Sequence, residues 1–89
     1  MSACRRFLVS GRVQGVAYRA WAREQARRFH LSGWAANLRD GRVEVVACGD
    51  PASIALLAVK LWIGPPAAQV TAVEEQAAEA GDTAGFAIR

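Results

Sequence analysis

Histidine and cysteine are scarce in this chain, with one His and two Cys among 89 residues. A metal centre needs several such ligands brought together, and His30, Cys4 and Cys48 are too few and too dispersed to form one, so no metal set is expected. The same scarcity leaves no acid–base dyad, because His30 falls at the far end of the first helical segment. No apolar run approaches the ~20 residues that span a bilayer. The N-terminal MSACRRFLVSGR lacks a long apolar stretch with a small-residue cleavage site. The expectation is therefore a cytoplasmic chain with no membrane partner. Internal repeats and low-complexity tracts are lacking as well. The length allows one domain over residues 1–89 and not two. A hydrophobic content of 53% supplies the compact core that so small a domain requires.

Charge is present with a bias. Eleven Lys and Arg stand against eight Asp and Glu, a net charge of +3. That balance suits an anionic ligand, although the same value is ordinary for solubility.

Hydrophobic periodicity organises the chain. RRFLVS (5–10) alternates as a strand that Gly11 ends. Tyr18, Ala22, Ala26 and Phe29 recur at helical spacing, with Arg23, Arg27 and Arg28 on other faces. GWAANL (33–38) and RVEVVAC (42–48) read as two strands joined through the tight turn RDG at 39–41. Asp50 suits an N-cap and Pro51 a first helical position, while Gly64 with Pro65 and Pro66 stops that second helix. AQVTAVEEQ (68–76) is a fourth strand and GFAIR (85–89) a short fifth. The order is βαββαβ plus one strand. Its expected packing is a ferredoxin-like α+β sandwich, an antiparallel sheet of order 4-1-3-2 with two helices on one face.

Pairing Phe7 with Val45 and Val9 with Val43 places all four on the helix-covered face. This register also puts the loop 11–17, the helix start at Tyr18–Arg19 and the strand end at Asn37 at one edge of the sheet. Cys4 and Cys48 then face each other at the opposite edge. A cross-strand disulfide is geometrically allowed there, while a cytoplasmic setting argues for free thiols.

The stretch GRVQGVAYR opens the first helix. A helix N-terminus presents unpartnered N–H groups and the positive end of its dipole. Glycines let successive N–H groups converge on an anion, and an arginine adds a planar fork for two phosphate oxygens. A plain glycine-rich turn has the same appearance. Asn37 could hold a water in line with a bound phosphorus, or serve as an Asx-type residue leading into RDG.

GRVQGVAYR followed by LSGWAANLRDGRVEV resembles the acylphosphatase family pattern G-x-V-Q-G-V-x-[FY]-R, then G-W-x-x-N-x-x-D-G-x-V-E. GPPAAQVTAVE and GFAIR resemble the fourth strand and end of bacterial members, so the resemblance covers nearly the whole chain. It implies hydrolysis of the carboxyl–phosphate bond of acyl phosphates, without metal or organic cofactor. By position, the loop Arg12, Val13, Gln14, Gly15, Val16, Ala17, Tyr18 and Arg19 would bind phosphate through main-chain N–H groups. Arg19 would be the charged clamp and Asn37 would orient the attacking water. The implied partners are a small acyl phosphate and inorganic phosphate as product or inhibitor, met by a monomer with no nucleic acid.

The chemistry of the residues agrees with an activated substrate. An acyl phosphate expels a carboxylate, whose conjugate acid has a pKa of about 4, so no general acid is required. Positioning and charge neutralisation then carry the reaction. Whether a substrate oxygen takes the water's proton stays open.

Three positions depart from the family pattern. His30 replaces a usual glycine, and Ala35 a usual valine. The second helix, with Trp62, is more uniformly apolar, which predicts an exposed patch. Trp34 is expected to pack, Trp21 to lie on a partly exposed helix face, and Glu44, Glu74 and Glu75 to be solvated. Two other functions compete. One is a non-catalytic or regulatory acyl-phosphate-binding module. The other is an RNA-binding module, disfavoured because the open-face positions Arg6, Leu8, Glu44 and Val46 of the two central strands include no aromatic.

Overall fold

The computed structural model describes residues 2–79 and 84–89. Seven elements follow in order: β1 (Ala3–Arg12), α1 (Tyr18–Arg28), β2 (Ser32–Asn37), β3 (Val43–Gly49), α2 (Pro51–Ile63), β4 (Gln69–Ala77) and β5 (Phe86–Ile88). The strands form one sheet of order β4-β1-β3-β2-β5. This is the expected ferredoxin-like arrangement with its fifth strand, and one feature differs. β5 pairs parallel to β2, so the sheet is mixed and not wholly antiparallel. A three-residue strand carries no periodicity from which its direction could be read.

The β1–β3 register matches Phe7 to Val45 and Val9 to Val43, as expected. All four are fully buried beside Tyr18, Ala22 and Ala26 of α1 and Ile54, Leu57 and Leu61 of α2. Both helices thus close over one face of the sheet. Helix α2 begins as its sequence indicates, with Asp50 accepting a 3.0 Å hydrogen bond from the Ala52 N–H and Pro51 next in line. Its outer face stays apolar. Leu56, Val59, Trp62 and Ile63 are each more than half exposed, the anticipated patch.

β1 runs past Gly11 to Arg12, because a bulge at Ser10/Gly11 lets the strand stay paired with β4. The irregular loop is therefore shorter than expected, residues 13–17. His30 has φ 56°, the left-handed conformation that explains the glycine of the family pattern at that position.

Two expectations about the open face need correction. Trp34 pairs with Val46, so its side chain joins Arg6, Leu8, Glu44 and Val46 on that face instead of packing under the helices. Glu44 is not a solvated strand residue. Its carboxylate accepts hydrogen bonds from Arg6 Nε at 2.6 Å and Trp34 Nε1 at 3.2 Å. Burial opposes ionisation of Glu44, and those bonds, with the charges of Arg6 and Arg89, outweigh it and hold its pKa below the usual carboxylate range. Among the acidic residues of β4, Glu75 pairs with Arg5 at 2.8 Å and Glu74 accepts from Gln76, both remaining exposed.

At the sheet end away from loop 13–17, Cys4 and Cys48 are direct cross-strand partners. Their Cα atoms are 4.1 Å apart and their sulfurs are at bonding distance.

Candidate active site

The loop between β1 and α1 is fixed at both ends by buried apolar side chains. Val13 and Tyr18 are each about 1% exposed. The Tyr18 hydroxyl donates a buried 2.6 Å hydrogen bond to the Leu61 carbonyl, which ties the first turn of α1 to the last turn of α2. Burial pushes the Tyr18 phenol well above its ordinary value. Between these anchors the chain turns sharply. Gly15 has φ 74° and Ala17, the residue before the helix, has φ 61°. The second is a cost that the sequence does not announce, since alanine rarely takes that conformation.

The left-handed turns leave the helix start open. Among the described residues, no main-chain N–H from Gln14 to Arg19 donates to a main-chain carbonyl. The start of α1, with the positive end of its dipole, borders a small cleft of about 160 Å³. Val13, Gly15, Ala17, Tyr18, Arg19, Ala20, Asn37 and Ile88 form its walls. Asn37 reaches it because β2 pairs Asn37 with Val43, which sets both on the helix-covered face at the strand's end.

The sequence-predicted residues thus divide. Arg19, Asn37, Val13, Gly15, Ala17 and Tyr18 share the cleft. Arg12 does not; it belongs to β1, paired with Gln69 and exposed. Val16 packs against the core. The Gln14 side chain turns away and donates to the carbonyls of Leu38 at 2.8 Å and Arg42 at 3.0 Å. It straps the loop to the β2–β3 hairpin and so couples the loop's position to that of Asn37. The hairpin turn is itself ordered by Asp40, which accepts from the Arg42 N–H and Nε. The Arg42 main-chain bond first, then its side chain, hold the Asp40 carboxyl below the usual range.

Two contributors escaped sequence reasoning. Ile88 of β5 lines the cleft. The main-chain carbonyl of Arg89 accepts a 2.9 Å hydrogen bond from Arg19 Nη1 and turns that side chain toward the site. Both depend on the parallel pairing of β5, which no sequence signal specified.

A larger hollow, about 740 Å³, lies at the other end near Cys4, Arg27, His30 and Cys48. It borders Ala78 and Gly85, which flank residues outside the described set. Among the described residues, no group of three His, Cys, Asp or Glu side chains could hold a metal ion.

The sequence and fold that carry this cleft are matched by known proteins. The acylphosphatase family model matches residues 5–88. The chain belongs to the acylphosphatase family. An acylphosphatase from Halorhodospira halophila is 51% identical over 83 residues, covering 93% of this chain and 90% of that relative. Another from Alkalilimnicola ehrlichii is 50% identical over 88 residues, covering 99% of both. In three dimensions, the acylphosphatase of Coxiella burnetii superposes with a TM-score of 0.94 at 42% identity, over 99% of this chain and 93% of that structure.

Proposed function

We propose that this chain hydrolyses acyl phosphates to a carboxylate and inorganic phosphate, with Arg19 and Asn37 as the side chains that carry the reaction. Family membership over nearly the full length supports the activity, and similarity to relatives named acylphosphatase over most of their own length favours an enzyme over a regulatory module. The observation that carries the site is one cleft that gathers Gly15, Ala17, Tyr18 and Arg19, whose N–H groups have no main-chain acceptor among the described residues, together with Asn37.

In this reading the phosphoryl oxygens lie against the loop N–H groups, and the Arg19 guanidinium neutralises the charge they gather in the transition state. The Asn37 amide orients a water for in-line attack on phosphorus. The carboxylate leaves unassisted, since its conjugate acid has a pKa of about 4. The water's proton passes to a phosphoryl oxygen, because the titratable groups among the cleft residues are Arg19 and a Tyr18 hydroxyl already committed to Leu61. Inorganic phosphate is both product and competitive inhibitor, and the working form is a cytoplasmic monomer.

Phosphate release from benzoyl phosphate in the presence of a chelator tests the reading. The wild-type chain is expected to turn over, with activity lowered at least ~100-fold in Arg19→Gln and on the order of 100-fold in Asn37→Ala. A folded Arg19→Gln protein with normal turnover would overturn the mechanism. Phosphate binding without turnover in the wild type would favour the non-catalytic module instead.

A further inference from the structure

Resting on the reading of Arg19 as the phosphate clamp, we propose that Trp34 is a positioning residue for Arg19, acting through Arg89. Arg89 is tied at three points. Its N–H donates to the Ala35 carbonyl at 2.8 Å, continuing the β2–β5 pairing by one residue. Its carbonyl accepts from Arg19 Nη1 at 2.9 Å. Its guanidinium lies over the face of Trp34, 4.0 Å from the ring centroid, a cation–π stack.

The ring that holds Arg89 is itself held. Trp34 Nε1 donates to Glu44 Oε1 at 3.2 Å, and Arg6 Nε donates to Glu44 Oε2 at 2.6 Å. Arg6 Nη1 then donates to Gln76 Oε1 at 2.9 Å. Gln76, Arg6, Glu44 and Trp34 stand on β4, β1, β3 and β2, and Arg89 follows directly on β5. The row therefore crosses all five strands in their order in the sheet, on the face away from the helices.

The row has a mechanical purpose at its β5 end. β5 is a three-residue edge strand paired on one side only. Such a strand frays readily, and its last carbonyl would wander with it. Stacking Arg89 on a ring locked by Glu44 fixes that carbonyl, and the carbonyl fixes Arg19 Nη1. One guanidinium donor is spent on this tie, and four of its five remain for phosphoryl oxygens.

The test compares wild type, Trp34→Ala, Trp34→Phe, Arg89→Ala and the double alanine variant, with Arg19→Gln in parallel. The readouts are kcat and KM for benzoyl phosphate, competitive inhibition by inorganic phosphate, and the thermal midpoint. Trp34→Ala and Arg89→Ala should each raise KM and the phosphate inhibition constant together, by roughly 3- to 10-fold, the scale of one cation–π contact. kcat should fall as well, by far less than in Arg19→Gln, because Arg19 keeps its charge and loses only its fixed position. The double variant should be no worse than either single one, and Trp34→Phe, which keeps a ring face but loses the Glu44 bond, should recover KM only in part. Additive effects of the two alanine changes, or a lowered midpoint with unchanged KM and phosphate inhibition, would overturn the proposal. Should Trp34→Ala not fold, Arg89→Ala decides, because its exposed side chain can be removed while the carbonyl stays. Arg19→Gln separates the two layers. If it leaves phosphate inhibition unchanged, the clamp reading fails; if it weakens inhibition while Arg89→Ala does not, only the positioning role fails.

Discussion

Two glycines flank the start of the candidate site, and they do different work. Gly11 has φ 119°, and a Cβ there would run into the Gln69 carbonyl oxygen of the neighbouring strand. Gly15 has φ 74° with open space around it. Gly11→Ala should therefore cost about 3 kcal/mol or more, and Gly15→Ala about 1 kcal/mol of backbone strain alone. Chemical denaturation of the two variants measures the difference, and equal losses would contradict this division. Tyr18→Phe should cost about 1–3 kcal/mol, because the Leu61 carbonyl is left buried without its donor. At this scale the sequence was informative about where the candidate side chains lie. The register sufficed to place Arg19 and Asn37 at one cleft, while the roles proposed for them came from the family resemblance. The Gln14 strap was not legible, because its acceptors are the main-chain carbonyls of Leu38 and Arg42, which any residues would provide.

Among the elements, β1, β3 and both helices could be read closely, since their buried faces follow the periods of 2 and 3.6. β5 could not, and with it the Ile88 wall and the Arg89 carbonyl were missed. The open face was misread in part because Trp34 lies one strand beyond the central pair. Helix α2 separates its two faces clearly. Leu57→Ala, in the core, should cost about 2–5 kcal/mol, whereas Ile63→Lys, 62% exposed, should change stability by less than about 0.5 kcal/mol. Cys4 and Cys48 link β1 to β3 across 44 residues of sequence. If that bond is present in the isolated protein, reductant should lower stability by about 2–4 kcal/mol in urea melts. A Cys4→Ser/Cys48→Ser variant should then be insensitive to reductant, and a titration finding two thiols in the native protein would remove the effect altogether.

For the molecule as a whole, two groups set the pH limits of stability in opposite directions. The folded pKa of Glu44 is depressed, so its contribution is present above the ordinary carboxyl range and is lost as pH falls through the folded value. Glu44→Gln should flatten the acid side of a stability–pH profile. The Tyr18 pKa is raised by burial, so its contribution is complete below the ordinary phenol value of about 10 and is lost as pH rises beyond it. Tyr18→Phe should remove that alkaline loss while lowering stability at neutral pH. A wild-type profile level above pH 10 would contradict the buried phenol.

The central place of β1 also bears on how fast the chain assembles. Its partners are β3 and β4, drawn from far along the sequence, while β2 and β3 form a local hairpin. Long loops must close before the middle of the sheet gains anything, which predicts folding in milliseconds to seconds rather than microseconds. A covalent link between Cys4 and Cys48 would make the β1–β3 encounter a search within a tethered chain. Oxidised protein diluted from denaturant should then refold faster than reduced protein, so the cysteine pair would act on the route to the fold as well as on its endurance.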